Sequence, residues 1–168
     1  MSDFSKSVIE AMRMLAAVPE TVFVGQSVRY DGAAIYHSLD GVPMEQRVEF
    51  PVCEELQLGY CTGLSLVGKL PICIYPRMDF MLLCMNQLVA HLDKLPLYGW
   101  RPKVIIRCRV GQKTPLDAGI QHSQNHSHAF RQMLTTIDVL EVRAPEHVMP
   151  AYELALASKR STIVVENG

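Results

Sequence analysis

The hydrophobic pattern alternates between short apolar runs and stretches of helical spacing. Val8, Met12, Leu15 and Ala16 recur at helical spacing behind Ser2-Asp3-Phe4-Ser5, which can cap a helix, and Pro19 ends it. Apolar runs at 21–25, 47–52, 70–75, 103–108, 139–142 and 161–166 read as buried strands. Between them lie helical patterns: a short one at 33–39, one from Glu54 through Leu56, Gly59, Tyr60, Gly63, Leu64 and Val67, then 80–92, 126–135 and 144–158. Six strands alternating with helices predict an α/β fold, a three-layer sandwich with a mainly parallel sheet and right-handed crossovers.

Two helical stretches stand out within that frame. Gly59 and Gly63 each cost about 1 kcal/mol relative to alanine inside a helix, which predicts close packing against a neighbour. The stretch 80–92 is apolar nearly all round (Met81, Leu82, Leu83, Cys84, Met85, Leu88, Val89), with Asp79 placed to cap it. A helix of that kind is buried, here predicted at a subunit interface. The segments 94–102 and 109–124 read as loops, the second long and rich in glycine and polar residues, as functional loops often are.

At 168 residues, with no repeat or linker, one domain spanning 1–168 is expected. The hydrophobic share of 49% against 20% charged fits a packed core rather than disorder. A net charge of −1 gives no electrostatic reason to expect nucleic acid or an anionic membrane as partner. No apolar run approaches the roughly 20 residues that span a bilayer. The amino terminus has no secretory h-region, so a cytoplasmic location is expected. None of the five cysteines forms a CxxC pair, and all are expected to be buried and reduced.

The candidate chemistry begins at FPVCEE, where an apolar run meets Glu54 and Glu55. In open α/β sheets ligands bind at the carboxyl ends of strands, which favours an acid there. On pattern alone Glu54 is either a catalytic acid or a helix-terminal carboxylate answering the macrodipole, and Glu55 fits the second role better. His122, His126 and His128 are clustered without a local Asp, Glu or Cys; this is a weak metal pattern, and no metal ligand is assigned. His122, between Gln121 and Gln124, is the best placed of the three to meet a ligand. Phe80, after Pro76-Arg77-Met78-Asp79, is a strand-end aromatic, and on pattern alone a lone Phe of this kind is normally a core residue. No Ser/His/Asp order, P-loop or GxGxxG is present.

A series of short motifs runs in order through nearly the whole chain: VFVG then YDGA, FPVCE, GKLPICIY with MDF, Asn86-Gln87, IQHSQ, VLEVRAPE and TIVVEN. In that order they resemble the pyrimidine-binding domain of thiamine diphosphate enzymes, most closely the beta subunit of the decarboxylase component of 2-oxoacid dehydrogenases. Each motif alone is weak, and the specificity lies in their collinearity. The resemblance implies that Glu54 hydrogen-bonds N1′ of the cofactor's aminopyrimidine and favours the imino tautomer that deprotonates the thiazolium. It implies that Phe80 packs on the aminopyrimidine and that His122 faces the substrate end. Pro76 replaces the apolar residue usual in the pocket wall, and Gln26-Ser27 stand where the family usually has acids.

The chain lacks the GDG-plus-asparagine motif that holds Mg²⁺ and diphosphate in such enzymes. The resemblance therefore implies thiamine diphosphate shared with a separate diphosphate-binding, alpha-type subunit that holds Mg²⁺, in a homodimer or an α2β2 heterotetramer. The substrate expected is a 2-oxo acid, and the stretch 80–92 and the helix after Glu54 are the expected interface. Two alternatives stay open: a transketolase- or synthase-like carboligating subunit, and a non-catalytic scaffold of the same fold.

Overall fold

The structure, a computed structural model describing residues 2–113 and 117–168, is built on six strands that all pair in parallel. In chain order the elements begin with α1 (Asp3–Ala16), β1 (Thr21–Gly25), α2 (Ala34–His37), β2 (Arg47–Glu49), α3 (Glu54–Leu66) and β3 (Leu70–Tyr75). They continue with β4 (Ile105–Arg109), α4 (Ser127–Met133), β5 (Asp138–Val142), α5 (Pro145–Ala157) and β6 (Thr162–Glu166). The strand order is β2-β1-β3-β4-β6-β5. The α/β expectation holds, and the sheet is parallel throughout.

Alternating side chains sort each strand between two cores. Cys73 and Tyr75 of β3 join Ile106, Cys108, Ile163 and Val165 beneath α3, α4 and the segment between β3 and β4. Ile72 and Ile74 join Phe23, Ile105 and Val164 beneath α1 and α5. The Ser2 hydroxyl caps α1 by accepting from the Ser5 amide at 3.2 Å, as the sequence predicts. Burial on both faces explains why these strands read as continuous apolar runs rather than alternating ones.

β2 is shorter than the predicted 47–52. The Phe50 amide still reaches Gly25 O at 2.9 Å, but Pro51 has no amide proton and pairing stops. Arg47 on this strand is buried and donates to the carbonyls of Val28, Leu39 and Val42. One guanidinium thus pins the irregular connection from β1 to β2.

The predicted α-helix at 80–92 is not regular. A tight 3₁₀ stretch, Met78–Cys84, runs into a π-helical stretch, Asn86–Leu92. Asp79 caps nothing, because its carboxylate is turned into the protein without a hydrogen-bond partner. Met81, Cys84, Leu88 and Leu92 face the core, whereas Leu82 and Leu83 are 46% and 61% exposed. The all-round apolar sequence therefore serves two faces, one packed and one open in the single chain. A Cβ on Gly59 would stand 3.3 Å from the Gln87 side chain, which accounts for that glycine; Gly63 faces open space.

Four cysteines are buried as expected, and Cys53 is exposed instead, because it lies in the turn just before α3. Burial pushes the thiols of Cys61 and Cys108 well up and that of Cys84 to about 12, so these three are unreactive.

Candidate functional site

The strand order locates the site. From β1 the chain passes to β2 on one side, and α3 then crosses to β3 on the other. The connections part at the carboxyl ends of β1 and β3, the kind of crevice where open parallel sheets bind ligands. Gln26 follows the last residue of β1, Pro76 follows the last residue of β3, and Glu54 is the first residue of α3. Three of the candidate residues thus come to one switch point from positions far apart in the chain.

Glu54 is 7% exposed. Its Oε1 accepts from Gln26 Nε2 at 3.1 Å. The buried Tyr75 hydroxyl donates to the Glu54 carbonyl at 2.9 Å, and Gln57 Nε2 donates to Ile74 O at 3.0 Å. These two bonds tie the start of α3 to the end of β3. Burial, with Cys73 and Cys84 nearby, pushes the Tyr75 hydroxyl far above its ordinary range, so it remains a donor. The loop after β1 is held just as firmly. Glu49 accepts from the amides of Ser27 at 2.6 Å and Arg29 at 2.8 Å, while Ser27 takes a φ of 60°. A non-glycine residue in that conformation costs about 1–3 kcal/mol, and the Glu49 bonds help to hold it.

Phe80 and His122 meet edge to face, with ring centroids 5.2 Å apart. The His122 loop lies so close to β4's exit that a Cβ on Gly111 would collide with His122 O. Its far end is anchored by Glu141 of β5, which accepts from Asn125 Nδ2, Ser127 Oγ, Arg143 Nε and Asn167 Nδ2 at 2.8–3.1 Å. Burial alone would raise the Glu141 carboxyl, but bonds from Arg143, Asn167, Asn125 and Ser127 outweigh it and hold the group at about 2. A carboxyl lowered on folding contributes stability above its ordinary value near 4.5, and that contribution is lost as pH falls toward 2. Urea midpoints at pH 7 and pH 3 are therefore expected to differ less for Glu141→Gln than for the unaltered protein. An equal loss in both would contradict this role.

Other predicted positions are not gathered in. Glu55 is exposed and accepts from Asn86 Nδ2, in keeping with a surface role. His128 is exposed, and among the described residues no group of three or more His, Cys, Asp or Glu could hold a metal ion. Two cavities lie away from Glu54: one of about 320 Å³ beside Arg101, Thr135 and Arg160, another of about 240 Å³ beside Phe4, His37 and Arg109. Sequence reasoning missed Tyr75, Gln57 and Glu141. Each acts through a partner remote in the chain, and only the position of Tyr75 as the last apolar residue of its run hinted at a role.

No protein-family model matches the sequence, and neither does any curated protein. Solved structures do match. One is a transketolase from Campylobacter jejuni, with a TM-score of 0.75 and 13% identity over 98% of this chain. Another is a split-gene transketolase described as an inactive beta4 tetramer, with a TM-score of 0.63 and 14% identity over 97% of this chain. The chain spans a quarter of the first protein and half of the second. Its fold is that of the pyrimidine domain of transketolase-like enzymes. No helix of the described residues is long and apolar enough to cross a membrane.

Proposed function

We propose that this chain is the pyrimidine-binding subunit of a split thiamine diphosphate enzyme that decarboxylates a 2-oxo acid and transfers the acyl group. The observation that carries the reading is Glu54 itself, a buried carboxylate at the switch point, with Oε1 engaged by Gln26 and Oε2 accepting no hydrogen bond among the described residues. That second oxygen suits a ring nitrogen of an aminopyrimidine. Phe80 would pack on the pyrimidine, Pro76 and Gln26 would line its pocket, and His122 would face the substrate, where an imidazole can bind a carboxylate or hold a proton. Bound thiamine diphosphate would supply the carbon nucleophile that attacks the 2-oxo acid's carbonyl.

A separate diphosphate-binding, alpha-type subunit would hold Mg²⁺ and the diphosphate, giving a homodimer-based or α2β2 assembly. The surface beside Glu54 supports such a partner: Val52, Leu56 and Tyr60 are exposed along the start of α3, as are Leu82 and Leu83 on the neighbouring 3₁₀ stretch. Grouped apolar side chains on a surface mark association sites. The paired substitution Leu56→Asp with Leu83→Asp is expected to weaken association with the partner by about tenfold or more, with the circular dichroism spectrum unchanged. Sedimentation of the mixed subunits reads this, and undiminished association would remove this face from the interface.

Transketolase-type carboligation is the second reading, favoured by the two transketolase neighbours. The deciding experiment is calorimetric titration of thiamine diphosphate into the mixed subunits, followed by product analysis with an added aldehyde acceptor. Binding only to the mixture supports the proposal, and a ligated ketose as product would select the second reading. Failure of the mixture to bind thiamine diphosphate would leave the chain as a non-catalytic scaffold.

A further inference from the structure

One buried pair near the site lacks the partners its chemistry requires. Asp79 is 8% exposed, yet neither carboxylate oxygen accepts a hydrogen bond among the described residues. His126 Nε2 is also buried and without a hydrogen-bond partner, and it lies 3.7 Å from Asp79 Oδ1. A buried carboxylate with no donor is strongly disfavoured, and so is a buried imidazole nitrogen with nothing to bond. The separation is just beyond a hydrogen bond, so a small tilt of the ring makes one. Arg77, the nearest cation along the chain, donates to Pro76 O and not to Asp79. Burial and the nearby Arg109 lower the Arg77 guanidinium from its ordinary value, and the Asp79 carboxylate offsets them only in part.

The pair joins two segments that matter. Asp79 immediately precedes Phe80, and His126 follows His122 by four residues, while the Phe80 and His122 rings touch. Glu141 fixes the end of the His122 loop to β5 through Asn125 and Ser127. It exerts no hold toward the end of β3. There the tie is His126, whose backbone amide points at Met78 Sδ at 3.3 Å and whose ring points at Asp79.

We propose that Asp79 and His126 are a positioning pair: the imidazole N–H closes onto the carboxylate and fixes the His122 loop against the turn that carries Phe80. The orientation of the His122 ring then depends on a bond that His122 does not itself make. The mechanical part of this stands on the chain alone, and only its catalytic consequence rests on the function proposed above.

The test uses the full chain labelled with ¹⁵N-histidine. Asp79→Leu, which removes the acceptor, and His126→Ala are each expected to shift the His122 ring resonances, and the double variant no further than either alone. His126→Gln, whose amide nitrogen can stand in for Nε2, is expected to restore them, and His128→Asn to leave them in place. Unmoved His122 resonances, or shifts that simply add, would overturn the proposal. Should Asp79→Leu fail to fold, the contrast between His126→Ala and His126→Gln decides by itself. In the mixed complex His126→Ala is expected to lower kcat by up to about 10²-fold with KM little changed and Gln rescuing it. Absence of thiamine-dependent turnover in every form would count against the proposed function and leave the resonance result standing.

Discussion

Glu54→Gln, introduced into the mixed complex, is expected to lower kcat by about 10²–10⁴-fold, the usual range for loss of a positioned proton-transfer group. The substitution keeps the shape of the side chain and removes only its charge and its ability to hold a proton. Stability should change little. Glu54 sits in the first turn of α3, where a negative charge contributes about 0.3–1 kcal/mol through the helix dipole, and the Gln26 amide can still donate to an amide oxygen. The clearest assay is exchange of the thiazolium C2 proton for deuterium, followed by NMR, alongside steady-state turnover. Exchange slowed together with kcat supports the assignment, whereas turnover near the unaltered rate would remove Glu54 from the chemistry. Gln26→Ala gives a graded companion, since it withdraws one bond from Oε1 and leaves the carboxylate in place.

Arg107→Met is expected to destabilise the fold by about 3–5 kcal/mol, the cost of leaving one member of a buried ion pair alone. Arg107 and Glu166 sit on adjacent strands, β4 and β6, two residues apart in register (Arg107 pairs with Val164, Glu166 with Arg109), and are 4% and 2% exposed. Arg107 Nε donates to Glu166 Oε1 at 2.7 Å and Nη2 to Oε2 at 3.2 Å, while Nη1 reaches Ser38 Oγ at 2.8 Å. Tyr152 of α5 completes the group by donating to Glu166 Oε1 at 2.8 Å. Burial works against the charge on Arg107, but Glu166 and Tyr152 outweigh it, so the guanidinium is held more firmly than usual. Urea unfolding at pH 7 measures the cost. The double change Arg107→Met with Glu166→Leu should recover much of it, because replacing both ions with apolar groups removes the stranded charge. A loss below about 1 kcal/mol for the single change would mean that water reaches the pair in solution.

The inner strands β1, β3, β4 and β6 were legible because they are buried on both faces and so read as unbroken apolar runs; β3 was predicted at 70–75 and is Leu70–Tyr75. The segment 78–92 was misread because its sequence gives apolar character without saying which neighbour takes it. Packing between the sheet and α3, with Gln87 against Gly59, draws the chain into 3₁₀ and π turns instead. Asp79 looked like a cap for the same reason. A cap is a local pattern, and the burial that overrides it is not.

At the site the division is similar. An acid at the end of a strand could be read from FPVCEE, and a candidate histidine from the loop after β4. The bond from Gln26 to Glu54 spans 28 positions, and the Glu141 anchor reaches back 16 to Asn125. No periodicity encodes either. By itself the sequence determined that six strands would alternate with helices and that Glu54 would stand where one strand meets its helix, since apolar runs and helix entry are written in local residue types. Only the tertiary structure decided the order β2-β1-β3-β4-β6-β5, because strand order depends on how the crossovers pack. That order brings Gln26, Glu54 and Pro76 to a single switch point.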